Sequence, residues 1–481
     1  MSIIGSAIDQ KGIWSSSIGQ TTQSDLAQND EIRFQSLKAK IHESLVSSLD
    51  LVAAEGLSDS QLRNELLPFI EDEIALCDSS IRKKLSKETR NRLIAELQDE
   101  MFGMGPLEKL MNDPAISDIL VNHCHEIYVE REGVLELSDV VFADNKHLMR
   151  IIQRIVSRVG RRVDEVCPMV DARLPDGSRV NAVIPPLAID GPKLSIRRFG
   201  KGHLGLESIV GLNTMTPAMA SFLAAAVQAK TSIVVSGGTG AGKTTLLNAL
   251  SGEIVEGERI VTIEDSAELL LQHRHVARLE TRPANSEGVG ELTQRDLLRN
   301  SLRMRPDRII VGEVRGPEAL DMLQAMNTGH EGSMSTIHAN DTIDAINRLE
   351  LMIAMSKLEL PLEVVRSYIA AGINLLVHVA RLKGGVRRIT RVSELQRSAD
   401  GGYQLDDIFR FNRTGTDSEG KATGIFETTG YQPTCLERFF EEGVEFDAAA
   451  LKPAKVDLDS LQAAAKKKTE TLAPKKDGSD E

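Results

Sequence analysis

Aromatic side chains make up only 4% of the 481 residues, and Trp14 is the single tryptophan. Aliphatic side chains must therefore do most of the core packing. Cysteine is also scarce. Cys77, Cys124, Cys167 and Cys435 stand far apart and form no C-x-x-C pair. This spacing argues against a zinc module or a disulfide framework, and it fits a reducing cytoplasm. No run approaches the ~20 apolar residues that a membrane-spanning helix needs. The N-terminus has no basic region followed by an apolar stretch, so no signal peptide is expected. Positive charge is in deficit, with a formal net charge of −13, and direct contact with nucleic acid is not expected. Work at a membrane would have to be arranged by partner proteins.

The chain divides by its hydrophobic periods. Residues 1–30 are rich in Ser, Gln, Gly and Asp and read as a disordered tail, with Trp14 either incidental or part of a docking motif. Over 31–102 the period is helical. Phe34, Leu37, Ile41, Leu45 and Leu49 share one face, followed by Leu62, Leu66, Ile70 and Ile74, and then by Leu93, Leu97 and Met101. Three short amphipathic helices predict a small bundle. Residues 103–199 mix strands with a helix through Leu148, Ile151, Ile152, Ile155 and Val159, and Pro175-Asp176-Gly177 marks a hairpin turn. This is an α+β domain. Glycines across 200–212 suggest a hinge.

From 213 to 449 strand and helix patterns alternate, which predicts a parallel sheet covered by helices. Strands are expected at Ser232 to Ser236, Arg259 to Ile263, Arg308 to Val311, Ser333 to Ile337, Leu375 to Ala380 and Arg388 to Val392. The last residues, 450–481, read as a disordered tail.

The sharpest motif is Gly237-Gly238-Thr239-Gly240-Ala241-Gly242-Lys243-Thr244, which fits G-x-x-x-x-G-K-[ST] without a mismatch. Glycines let backbone N–H groups converge on phosphate oxygens, and the helix that follows points its positive end at them. Lys243 would neutralise the outer phosphates of ATP, the Thr244 hydroxyl would hold Mg²⁺, and Thr245 completes the binding set. Two further apolar strands end in acids. Ile309-Ile310-Val311-Gly312-Glu313 places Glu313 where it can reach Mg²⁺ through a water or orient the attacking water. Val261-Thr262-Ile263-Glu264-Asp265 places Glu264 where it can polarise a water. His330 and His338 flank a third strand, and His338 is the better placed to sense phosphate.

Arginine is dense before Glu313: Arg295, Arg299, Arg303, Arg305 and Arg308. Spacings of four put the first three on one helix face, either as a solvated, ion-paired surface or as a comb that touches a neighbouring subunit's phosphate. Arg173, Arg179, Arg197 and Arg198 raise the same question in the preceding domain.

These boxes, in this order, resemble the type II/IV secretion ATPase superfamily. The run from Arg295 to Arg308, together with Pro168 to Arg179, is similar to the tight-adherence (Flp/Tad) pilus assembly ATPases of the CpaF type. The resemblance covers about residues 100–440. It implies a RecA-like P-loop ATPase domain behind a smaller, PAS-like α+β domain. It further implies a homohexameric ring at the cytoplasmic side of a bacterial inner membrane, working on pilus platform proteins. Apart from the resemblance, the N-terminal bundle could bind a localisation partner, which keeps open a reading as a nucleotide-gated scaffold that seldom hydrolyses ATP. Glu264 would match the catalytic acidic-box Glu, Glu313 the Walker B Glu, and His338 the His-box residue. Arg173, Arg179 and Arg197 lie where arginines of the preceding domain reach the nucleotide. The tetracysteine module of type II secretion and pilus-extension relatives and the C-terminal motif of pilus-retraction ATPases are absent, which favours the tight-adherence branch; a conjugation-type motor is poorly separated by sequence, with only the acidic net charge against direct DNA contact.

Overall fold

The computed structural model describes residues 67–76 and 85–458, apart from 132, 199–203, 285–288, 357, 359 and 400. It also describes 34, 37, 38, 40–42, 44, 45 and 461. The expectations for Trp14, Cys77, Leu49, Leu62, Leu66 and the chain ends fall outside the described residues.

Two compact units divide at Arg198 and Phe199. In the first, Phe34, Ile41, Leu45, Ile70, Ile74, Leu93 and Leu97 bury one another. The last two lie on helix α1 (Lys87–Phe102), whose start is fixed by Ser86 accepting from the Thr89 amide. Helix α2 (Glu108–Met111) follows. Then come β1 (Ile116–His123), β2 (Glu126–Arg131), β3 (Val134–Leu137), α3 (Asn145–Arg158), β4 (Met169–Arg173), β5 (Arg179–Val183) and β6 (Lys193–Arg197). The six strands form an antiparallel sheet in the order β3-β2-β1-β6-β5-β4. Helix α3 covers it because its apolar residues recur on one face. Leu148, Ile151, Ile152, Ile155 and Val156 are all buried in the same cluster as Ile119, Val129, Val180 and Ile196. Gly177 makes the β4–β5 turn at φ +91, a value that glycine adopts without strain.

In the second unit, residues 206–211 of the expected hinge are helical instead, forming α4 (Leu206–Gly211), with Leu206 and Ile209 buried in the core. Apolar side chains override the glycine signal there. The order continues with α5 (Pro217–Gln228), β7 (Ile233–Gly237), α6 (Lys243–Ser251), β8 (Ile260–Glu264), β9 (Val276–Glu280), α7 (Gln294–Ser301) and β10 (Arg308–Val314). Next are α8 (Glu318–Asn327), β11 (Met334–His338), α9 (Thr342–Ala354), α10 (Leu362–Gly372), β12 (Leu375–Arg381) and β13 (Arg387–Arg397). The unit ends with β14 (Tyr403–Thr416), β15 (Ala422–Thr428), α11 (Cys435–Glu441) and β16 (Ala454–Asp457).

One mixed sheet holds all ten strands, in the order β16-β15-β14-β13-β12-β7-β11-β10-β8-β9. Strands β12 to β9 in that order run parallel, and β13 to β16 extend the sheet antiparallel. Helices α5 and α6 pack in one core, with Phe222, Leu246 and Leu250, and helices α8, α9 and α10 pack in a second, with Leu323, Leu349 and Ile369. Strand β16 lies inside the expected C-terminal tail. It pairs with β15 from Thr428↔Ala454 to Ile425↔Asp457, and Leu451 beside it is fully buried, so order extends past residue 450.

Arg308 opens β10 with no exposed surface. It donates to both oxygens of Glu258, at 2.6 and 2.9 Å, and to the carbonyl of Val227 at 2.7 Å. It is a structural tie, not a surface cation. Arg308→Ala leaves the half-buried Glu258 carboxylate unpaired and should destabilise the fold by about 3–5 kcal/mol, read as a lowered denaturation midpoint.

Candidate nucleotide site

The P-loop leaves the carboxyl end of β7, a strand buried at every position. The chain must turn sharply to enter α6, and Gly240 at φ +67 and Gly242 at φ +100 supply left-handed backbone. Gly237 is required for space. A Cβ there would stand 2.3 Å from the Val379 carbonyl oxygen on β12. Lys243 begins α6, so the positive end of the helix coincides with its ammonium group. Thr244 is half-buried, while Thr239 and Thr245 are exposed.

The sequence boxes meet at one edge because their strands are neighbours: β7, β11, β10 and β8 stand consecutively in the sheet. Lys243 Nζ donates to the Gly238 carbonyl at 3.3 Å and stands 3.5 Å from Glu313 Oε1. Glu313 Oε2 accepts from Arg315 Nε at 2.7 Å, and Arg315 lies 3.9 Å from Asp265. Burial would raise the Glu313 pKa, but the Arg315 hydrogen bond and charge and the Lys243 charge outweigh it and hold the pKa below the ordinary glutamate value. Glu313 is therefore ionised.

Glu264 differs in kind. It ends β8 and is only 3% exposed. Its Oε1 accepts from the amides of Glu268 and Leu269, at 2.7 and 2.8 Å, and its Oε2 is buried without a hydrogen-bond partner. Burial pushes its pKa up, and the two amide bonds offset only part of the shift. A carboxylate oxygen buried without a partner is the atom of this side chain at which a proton is most favoured. Gly312 makes room for it, since a Cβ there would stand 2.9 Å from Glu264 Cγ. Gly312→Ala should displace this carboxylate and lower turnover roughly 10–10²-fold with the melting temperature little changed, a split read by paired turnover and melting assays.

His338 ends β11 with its Cα opposite Gly237. His330 caps the end of α8, its Nδ1 lying 3.3 Å from the Ala325 carbonyl. Three arginines of the run, Arg295, Arg299 and Arg308, make in-chain ties. Arg295 and Arg299 grip Asp321 of α8 at 2.7 and 2.9 Å. Helix α7 ends at Ser301, so Arg303 leaves the helix face on which the spacing put it.

In the other unit, Arg173, Arg179 and Arg197 are direct cross-strand partners on β4, β5 and β6, so they form one row on one face. Three residues beside the P-loop escaped the sequence reading. Arg387 Nε donates to the Gly240 carbonyl at 3.1 Å, Arg381 approaches the same glycine, and His378 lies against Ser236. All three come from β12 and β13, far along the chain.

The donors suit a nucleotide with Mg²⁺. Among the described residues, no group of three or more His, Cys, Asp or Glu side chains is arranged to hold a metal alone. A magnesium ion that takes one or two protein oxygens, here Thr244 and ionised Glu313, and the rest from phosphates and water fits this set. Among the described residues, no helix is long and apolar enough to cross a membrane.

Comparison with known proteins places the chain in a family. The family model "Type II/IV secretion system protein" matches residues 100–385. A putative conjugal transfer protein of Mycobacterium tuberculosis strain H37Rv is 41% identical over 323 residues, 66% of this chain and 91% of the relative. The conjugal transfer protein TrbB of Rhizobium radiobacter is 33% identical, over 66% of this chain and 94% of its own. The crystal structure of the VirB11 ATPase from the Brucella suis type IV secretion system, in complex with sulphate, covers 61% of this chain and 97% of its own at 31% identity, with a TM-score of 0.33. The chain belongs to the type II/IV secretion system protein family.

Proposed function

We propose that this protein is an ATP-hydrolysing motor of a secretion machine. The observation that carries the reading is the convergence of the phosphate loop, His338, Glu313 and Glu264 on the ends of four consecutive strands. Ligands of open α/β sheets gather at that edge. In this RecA-like reading, the amides of Gly238 to Thr245 and the Lys243 ammonium hold the phosphates of ATP. Thr244 and Glu313 would hold a Mg²⁺ ion, which would supply charge neutralisation to the phosphates when bound, and Arg315 keeps Glu313 in place. Glu264 accepts the proton of the attacking water through its open Oε2. His338 senses the terminal phosphate.

The motor works as a homohexamer, held at the inner membrane by platform proteins. We propose the Flp/Tad pilus as its load, on the strength of the run from Arg295 to Arg308 and of Pro168 to Arg179. A conjugation-type motor is the second reading, favoured by relatives named for conjugal transfer. A deletion strain separates them. Loss of surface pilin with DNA transfer intact supports the first, and loss of DNA transfer with pilin intact supports the second.

A further inference from the structure

Strand β12 stands directly beside β7, and its residues before the terminal Arg381 are aliphatic on both faces except at one point. There His378, 5% exposed, faces Ser236, which has no exposed surface, and His378 Nδ1 lies 2.9 Å from Ser236 Oγ. Two valines would fill this place between central strands without placing any polar atom in the core. The pair is therefore not needed to pack the sheet. Its position is distinctive, because Ser236 is the last residue before the phosphate loop.

We infer that His378 is a positioning residue for the phosphate loop, acting through Ser236 to fix where β7 hands the chain to Gly237. This rests on the reading of the loop as a nucleotide site. Two successive positions of β12 meet the loop's origin. His378 holds Ser236, and the next residue, Val379, presents its carbonyl where a Cβ on Gly237 would stand 2.3 Å away. With no slack at Gly237, a displacement at Ser236 passes into the loop instead of being absorbed.

The charged groups around the ring are Lys243 on α6, Arg391 on β13, Asp341 just before α9 and Asp344 within it. Burial lowers the His378 pKa, Lys243 and Arg391 add to the effect, and the two aspartates oppose it. The ring is thus neutral near pH 7, and Nδ1 can accept from the Ser236 hydroxyl. The reach extends to the opposite strand, where Ser236 is level with Ile337, the residue before His338.

The test uses the full chain, with Mg²⁺ and a fluorescent ADP analogue as the probe and with KM and kcat for ATP measured in parallel. Loss of one buried hydrogen bond that positions the loop predicts about a tenfold rise in Kd and KM for His378→Ala, with kcat changed less. His378→Gln, which keeps an amide within reach of Ser236, restores most of the affinity. Ser236→Ala reproduces the rise, and the double variant His378→Ala with Ser236→Ala is no weaker than either single one. Unchanged Kd in Ser236→Ala overturns the inference, and that variant decides the question even where His378→Ala does not fold. Additive losses in the double variant, or a failure of Gln to restore affinity, overturn it as well. A wild-type protein that does not bind the probe refutes the nucleotide reading itself.

Discussion

Lys243→Ala should remove nearly all nucleotide turnover, by on the order of 10²–10³-fold, and weaken nucleotide binding with it. Lys243 sits at the first turn of α6, where its ammonium adds to the positive end of the helix. Its present contacts, the Gly238 carbonyl and Glu313, are ones that phosphate oxygens can replace. No other lysine lies within the loop from Gly237 to Thr245, so its charge has no substitute there. Arg387 and Arg381 approach Gly240, but Arg387 already donates to its carbonyl. Isothermal titration with ADP and Mg²⁺, beside a turnover assay, checks both parts of the expectation.

Glu264→Gln should keep binding and lose turnover, by roughly 10²–10⁴-fold, the range a general base supplies. The amide keeps the shape of the side chain and an oxygen for the Glu268 and Leu269 amides, but it cannot take a proton. The wild-type pH profile carries a second signature. A base must be ionised to work, and burial raises the pKa of this one. Turnover should therefore begin to fall, as pH decreases, above the ordinary glutamate value of about 4.3. Glu313 cannot set that limb, because Arg315 and Lys243 hold its pKa down. A pH–rate profile whose acid limb lies at or below the ordinary value would remove Glu264 from the base role.

Local chemistry made the centre of the second unit legible. A short apolar run, a glycine-rich turn and a leucine-bearing helix specify β7 and α6 within 20 residues, because each contact is near in sequence. Glu264 and Glu313 were visible as acids ending apolar strands, and both strands lie where the pattern put them, to within a few residues. Non-local pairing was not legible. That β12 borders β7 depends on contacts some 140 residues apart, so His378 was only a polar residue inside Leu375-Leu376-Val377-His378-Val379. The alternation there signals a strand without naming its neighbour.

The arginines show a second limit. The i, i+4 spacing of Arg295 and Arg299 is real, but Asp321 of α8, the residue that turns it into an in-chain tie, cannot be paired with them by periodicity. Arg308 reads as one more surface cation, yet it is among the largest fully buried side chains because Glu258 and Val227 meet it from elsewhere in the chain. Glycine misled at 206–211, where a leucine and an isoleucine found the core and wound a helix. At 454–457 polar composition hid an edge strand that takes its order from β15.

The measurement that bears most directly on the account is steady-state release of inorganic phosphate from ATP with Mg²⁺, by purified wild-type protein and Glu264→Gln, with ADP affinity recorded for each. The account predicts turnover by the wild type and its loss in Glu264→Gln, with affinities that agree within about threefold, a difference of less than 1 kcal/mol. Phosphate release by Glu264→Gln at the wild-type rate would contradict it.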